Sequence, residues 1–190
     1  MDRRRFLTGV AMGSVSVAGC LGAGESLDLP DGMTVETHHR VGSHLIDDGL
    51  EPSGERPHSY QTILTDRSAA QERMRDGNRD ENEDENETME FVAETDFDRS
   101  YLVVVVARSW SSQHWLEVRE IERTEAGIHV SIVTESDDPT VDDAAVHSIA
   151  IRITDEEGDE PDVVAVSIDG ESMGTAEKAV SRVRTTISSS

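Results

Sequence analysis

Tyr101-Leu102-Val103-Val104-Val105-Val106-Ala107 carries the strongest structural signal in the sequence. From Leu102 to Ala107 every residue is apolar, and valine dominates the run. A run of this length is too short for a typical helix, and valine is enriched in strands. The stretch therefore predicts a buried β-strand.

Further strands are predicted on both sides of this run. Upstream, β-prone residues predict strands at 35–41 and 60–64. Downstream, apolar alternation and short apolar runs predict strands at 116–121, with a bulge, and at 128–132, 149–153 and 163–168. Because sequential strands joined by short polar turns pair antiparallel, we expect an antiparallel meander that forms a curled sheet, a sandwich or a partial barrel. The predicted class is mostly β with minor α.

Two short helices are predicted. The first lies at 68–76, where Ser68 and Gln71 have the spacing of a capping box and good helix formers follow. The second lies at 175–184, where alanine and valine recur at helical spacing before a Ser-rich end.

The domain organisation follows from length and composition. A chain of 190 residues has the size of one domain. We expect a single β-rich domain at 33–170, a terminal helix and frayed tail at 171–190, and a Gly- and Ser-containing tether at 20–32. Within the domain, 76–88 is nearly pure Asp, Glu and Asn and is expected to be an exposed, mobile loop.

The charge of the chain is strongly acidic. Its formal net charge is -23, and Lys178 is the only lysine, all other basic side chains except histidine being arginine. In molar salt the Debye length shrinks to about 3 Å, so crowded carboxylates barely repel and keep the protein soluble. This composition is typical of a halophile, and we expect an archaeal one. We do not expect nucleic-acid binding, because the sequence offers no basic face for the phosphate backbone.

The first nineteen residues have the features of an export signal. Arg3 and Arg4 precede Phe6 and Leu7, and a short, mildly apolar stretch follows. This stretch is shorter than the roughly 20 residues that span a bilayer as a helix. The pattern resembles a twin-arginine signal, which directs folded proteins across the membrane. We therefore interpret 1–19 as a signal peptide.

Val17-Ala18-Gly19-Cys20 resembles a lipobox, in which small residues allow cleavage before a cysteine that becomes lipidated. Cys20 is the only cysteine, so no internal disulfide can form. We expect Cys20 to carry a lipid that anchors the protein in the membrane, with everything after it on the outer face of the cell.

The order of elements resembles the C-terminal domain of PrcB-type protease-complex subunits. Tyr60-Gln61-Thr62-Ile63-Leu64 with the helix after it, and Thr95-Asp96-Phe97-Asp98 leading into the valine-rich strand, match that pattern over 60–153. Ser112-Gln113-His114-Trp115 stands where the family usually has Gly-Gly-Tyr. The resemblance implies a small, β-rich, non-catalytic envelope module that accompanies a protease.

Two groups of residues have the chemistry of metal ligands. The acidic tract matches the ligand spacing of an EF-hand-like calcium loop at Asp76, Asn78, Asp80, Asn82, Asp84 and Glu87. Glu81, however, replaces the glycine that the turn needs, so a solvated loop is the expected alternative. His38, His39 and His44 lie near acidic residues, but adjacent strand residues point to opposite faces. We therefore expect ordinary surface histidines and no cofactor or metal.

Aromatic residues provide the candidate recognition site. Trp110 and Trp115 bracket His114 between two predicted strands, where an exposed turn would form a binding hot spot and a buried one would close the core. Asn86 begins a glycosylation acceptor pattern. No Gly-x-Ser-x-Gly motif, phosphate-binding glycine loop or second cysteine points to catalysis.

These observations predict a non-catalytic, lipid-anchored, extracytoplasmic β-domain. Its expected role is that of an interaction or adaptor module whose partners are the membrane and an envelope protein or protease. The alternative is an extracytoplasmic metal-dependent or hydrolytic enzyme that uses the histidines and the acidic tract. A structural spacer without partner or ligand is the third hypothesis.

Overall fold

The computed structural model describes residues 27–41, 45–46, 59–76, 83–109, 112–136, 145–158 and 160–177. The predicted signal peptide, Cys20, His44 and Trp110 lie outside these ranges. The strands are β1 (Met33–Val41), β2 (Ser59–Leu64), β3 (Ser100–Ser109), β4 (His114–Thr124), β5 (Gly127–Ser136), β6 (Ala145–Asp155), β7 (Val163–Ile168) and β8 (Glu171–Glu177). The helices are α1 (Arg67–Asp76) and α2 (Glu83–Glu94).

The strands form two four-stranded sheets, and the predicted mostly β class with minor α is confirmed. Sheet 1 has the order β1-β6-β3-β2, and sheet 2 has the order β4-β5-β7-β8. Neither sheet closes into a barrel within the described ranges. The two sheets pack face to face around one apolar core, and the helices cover the other face of sheet 1.

The valine run lies in β3, between two apolar layers. Val103 and Val105 belong to the core between the sheets, while Val104 and Val106 belong to the core beneath the helices. Successive strand residues point to opposite faces, so a strand covered on both sides needs apolar residues at every position. This explains why the apolar run in β3 is unbroken, whereas buried apolar residues alternate with less buried ones in β5.

The connectivity differs from a simple meander. Within the described residues, only β2–β3, β4–β5 and β7–β8 pair strands that are consecutive in the chain, and β5 pairs with β7 in parallel. The chain leaves sheet 2 after β5, passes through sheet 1 as β6 and returns as β7. Because β6 reverses the direction, β7 runs alongside β5 with the same polarity.

The predicted first helix is present as α1, but its start differs in detail. The side-chain Oδ1 of Asp66 accepts the backbone N–H of Ala69 at 2.8 Å, so Asp66 is the N-cap. Ala70 and Met74 are buried against sheet 1. The N-cap therefore lies two residues before Ser68, the cap that the Ser68–Gln71 spacing predicted.

The prediction of a mobile acidic loop at 76–88 is wrong from Glu83 onward, where α2 begins. Thr88 and Val92 are buried one helical turn apart, which gives the helix one face against sheet 1. Arg67 Nη1 donates to the Ala93 carbonyl at 2.6 Å and thereby caps the other end. The acidic composition of 83–94 gives no sign of a helix in the sequence. The helix is stabilised by contacts with strands that are distant in the chain.

The prediction of a helix at 175–184 is wrong for its first residues, which belong to β8. Asp169 and Gly170 adopt positive φ angles of 51° and 79° and form a tight hairpin turn after β7. Ala176 is buried in the core between the sheets. The positions after Glu177 lie outside the described ranges.

The edges of the two sheets approach each other at both sides. Gln61 Nε2 donates to the Met173 carbonyl at 3.0 Å, which joins β2 to β8. Asp28 bonds through its backbone to Arg119 and Ile121 of β4 before the chain enters β1 in the other sheet.

None of the helices in the described ranges has the length and apolar character required to span a membrane.

Candidate functional site: a cleft at one end of the sandwich

A cleft of about 570 Å³ opens between the two sheets at one end of the sandwich. It lies where β3 ends and β4 begins. Its lining comes from both sheets and from the β7–β8 turn, through Ser59, Ala107, Arg108, His114, Trp115, Leu116, Thr134, His147, Ile168, Asp169, Glu171 and Met173.

The inner part of the cleft is largely apolar. Ala107, Leu116 and Ile168 are buried and belong to the core between the sheets. Ser59 and His147 are buried polar residues at the same depth, and both lie opposite Ala107 in the sheet register. Charged side chains lie instead at the exposed rim. Such a division between apolar interior and polar rim is typical of small-molecule sites.

Ser59 has an unusual environment. Its side chain is only 4% exposed, and its hydroxyl has no hydrogen-bond partner in the described part of the chain. Ser59 shares its strand face with Ile63, which lies in the core between the sheets. Ser59 therefore places a buried hydroxyl beside the wall of the cleft. Such groups are nearly always satisfied in folded proteins.

The rim is fixed by Asp169 in the hairpin turn. Its backbone N–H donates to the Ile132 carbonyl at 2.9 Å, and its Oδ1 accepts the N–H of Thr134 at 2.8 Å. Both bonds tie the turn to β5. The acidic side of the rim, Asp169 with Glu171, therefore has a defined position relative to the sheet.

Two of the three predicted recognition residues border the cleft. His114 and Trp115 begin β4, and Trp110 lies outside the described residues. Leu116 faces the core, so the strand alternation directs His114 toward the cleft and Trp115 toward the outer face of sheet 2, although Trp115 also contributes to the rim of the cleft. Arg119, two positions from Glu117 on that face, forms ion pairs with Glu117 and Glu135. The aromatic turn therefore presents different side chains to two surfaces.

The sequence prediction missed Ser59 and His147. A single serine or histidine carries no signal until strand pairing places it beside the valine strand. The Asp169-Gly170 pair did carry a sequence signal, because Asp-Gly between apolar runs predicts a tight hairpin.

Two of the histidines considered as metal ligands, His38 and His39, lie on opposite faces of β1. His38 Nε2 hydrogen-bonds Thr88 Oγ1 at 2.8 Å and its ring stacks on Phe91 at 5.6 Å, on the helical side. His39 Nε2 instead bonds Thr37 Oγ1 at 3.1 Å. No group of three or more His, Cys, Asp or Glu side chains suited to a metal occurs among the described residues. Asp84 and Glu87 of the calcium pattern lie in α2, and Asn86 lies in the same helix.

The opposite end of the sandwich is closed by an ion pair. Arg123 of β4 donates through Nε to Asp155 Oδ2 of β6 at 3.1 Å, and Asp155 Oδ1 accepts the backbone N–H of Gly158 at 2.9 Å. Burial works to raise the pKa of Asp155, but these hydrogen bonds outweigh it and the pKa is lowered. Burial, with the nearby Asp155 charge, raises the pKa of Tyr101 at the same end.

The fold and the site define a two-sheet, helix-covered β-sandwich with an end cleft. No family model matches the sequence, and neither a curated protein nor a solved structure gives a match to the chain.

Proposed function

We propose that this protein is a non-catalytic interaction module, anchored by a lipid on Cys20 to the outer face of the membrane, that binds another envelope protein. The observation that carries the proposal is the position of Trp115, partly exposed on the outer face of sheet 2 at the border of the cleft. Tryptophan is among the residues most enriched in binding hot spots.

The edge of sheet 2 is a second reason to place protein binding on the surface around Trp115. β4 is an edge strand, and the described segment around Asp28 pairs with it only near Glu120. Among the described residues, Trp115 to Val118 therefore belong to the edge strand beyond the Asp28 contact. A partner that adds a strand there would gain backbone hydrogen bonds together with an aromatic anchor.

The resemblance to PrcB-type subunits supplies the proposed class of partner, an envelope protease complex. The export and lipidation patterns around Arg3, Arg4 and Cys20 supply the proposed location. The acidic surface is compatible with work in molar salt, where exposed carboxylates are screened and opposing charges contribute little to affinity. Apolar and backbone contacts would then provide most of the binding energy.

The experiment is crosslinking of the native protein in membranes at high salt, followed by capture and mass spectrometry. We expect a lipid on Cys20 and a reproducible co-captured envelope protein. Trp115→Ala should remove that protein, whereas the control Glu125→Ala, at an exposed residue in the β4–β5 turn at the far end of β4, should retain it. Retention of the partner by a folded Trp115→Ala variant would refute the assigned surface, and an unmodified Cys20 would refute the anchoring.

A further inference from the structure

We infer that the interior of the cleft is a binding site for a small, uncharged amphiphile, with an apolar body and one hydrogen-bonding group. The inference concerns the inner wall around Ser59, not the outer face that carries Trp115, and it goes beyond the proposed protein-binding role.

Size and lining fit this class of ligand. A volume of about 570 Å³ is in the range of pockets that hold small organic molecules. The buried part of the wall is formed by Ala107, Leu116 and Ile168. These side chains favour an apolar body because its transfer from water to the cleft removes apolar surface from solvent.

The hydroxyl of Ser59 specifies one polar group on the ligand. Left without a partner at 4% exposure, a hydroxyl costs free energy that a hydrogen bond from a ligand recovers. A hydroxyl both donates and accepts, so an alcohol, amide or amine on the ligand would satisfy it. Thr134 and His147 add further polar side chains to the lining.

The distribution of charge favours an uncharged ligand. Among the described lining residues, Arg108, Asp169 and Glu171 are exposed, and no carboxylate or guanidinium lies on the buried wall. An ionised group deep in the cleft would lose its hydration without a counter-charge beside it. The rim, with charges of both signs, attracts neither anions nor cations exclusively.

The test uses N-phenyl-1-naphthylamine, an uncharged apolar probe with a single N–H, whose fluorescence rises in apolar surroundings. The full chain carrying Cys20→Ser is used in molar salt, so that neither lipid nor detergent competes. We expect saturable binding that 1-decanol displaces. Ser59→Val should weaken binding about three- to tenfold, the effect of one lost hydrogen bond. Ser131→Val on the outer face of β5 makes the same change outside the cleft and should leave binding unchanged.

Methyl NMR on the same protein locates the probe without relying on a variant. We expect shifts at Ala107, Ile168 and Met173, with none at Met33 or Ile128. Absence of saturable binding would show that the cleft holds only water, and equal affinity in folded Ser59→Val would show that the hydroxyl is not a ligand contact. Either result, or shifts confined to other parts of the core, overturns the inference. Loss of the protein partner in Trp115→Ala is measured separately and leaves this outcome unaffected.

Discussion

The guanidinium carbon of Arg152 lies 4.2 Å from the centre of the Phe91 ring. From this position in β6, Arg152 donates through Nη2 to the Phe91 carbonyl at 2.7 Å and through Nε to Thr95 Oγ1 at 3.0 Å, and it pairs with Glu36. One side chain of sheet 1 therefore fastens the end of α2 and satisfies the carbonyl of Phe91 in its last turn.

Replacing this arginine should loosen α2. Because the Arg152 side chain is only 12% exposed, Arg152→Met should lower the free energy of unfolding by about 2–4 kcal/mol through the lost charged hydrogen bonds and ring contact. Denaturant unfolding in molar salt measures the change. The control is Arg99→Met, whose ion pair with Glu156 is 64% and 65% exposed and should contribute less than about 0.5 kcal/mol. Equal effects of the two variants would refute the role of Arg152.

The Arg123–Asp155 pair should give the protein an acid-dependent component of stability. The pKa of Asp155 is lowered in the folded state, so its contribution is complete above the ordinary aspartate pKa of about 3.9 and is lost as the pH falls through the lower folded value. Asp155→Asn should be less stable at neutral pH and should flatten the fall in stability below about pH 4. The free energies of unfolding of wild type and variant are measured across this pH range. The same pH dependence in both proteins would contradict the assignment.

The two faces of β3 should be equally sensitive to truncation. Val103 and Val104 lie in different cores, and both are fully buried. Val103→Ala and Val104→Ala should each cost about 2 kcal/mol, from lost burial plus a cavity. Val133→Ala in β5, at a partly exposed position, should cost less than about 1 kcal/mol. A small effect at Val104 alone would mean that the helices do not cover sheet 1 in solution.

Two glycines should respond differently to alanine. A Cβ at Gly127 would lie 2.1 Å from the Val163 carbonyl oxygen, whereas a Cβ at Gly170 would meet no atom within 4 Å. Gly170→Ala should therefore cost only about 1–2 kcal/mol, for its positive φ. Gly127→Ala should cost more, since β5 and β7 must also separate. Thermal unfolding of both variants checks the order, and the reverse order would refute the close approach of the two strands.

The strands other than β8, and helix α1, were predictable because their signals are local. Apolar runs and alternation identified the positions of β3, β5 and β6 from neighbouring residues alone. Helix α2 was not predictable in this way, because Arg67 and Arg152, which bind carbonyls of its last turn, lie 26 and 61 residues from their carbonyl partners. The cleft was missed for a related reason: Ser59 and His147 meet Ala107 only after β2 and β6 have paired with β3.

Under the proposed anchoring at Cys20, the attachment of Asp28 to β4 limits how far the sandwich can stand from the membrane. With a lipid on Cys20, eight residues connect the bilayer to the first backbone bonds of the sandwich. A chain of that length spans at most about 28 Å even when fully extended. Under the proposed anchoring, the part of β4 around Glu120 therefore stays within this distance of the lipid headgroups, and a partner must come close to the membrane to contact it.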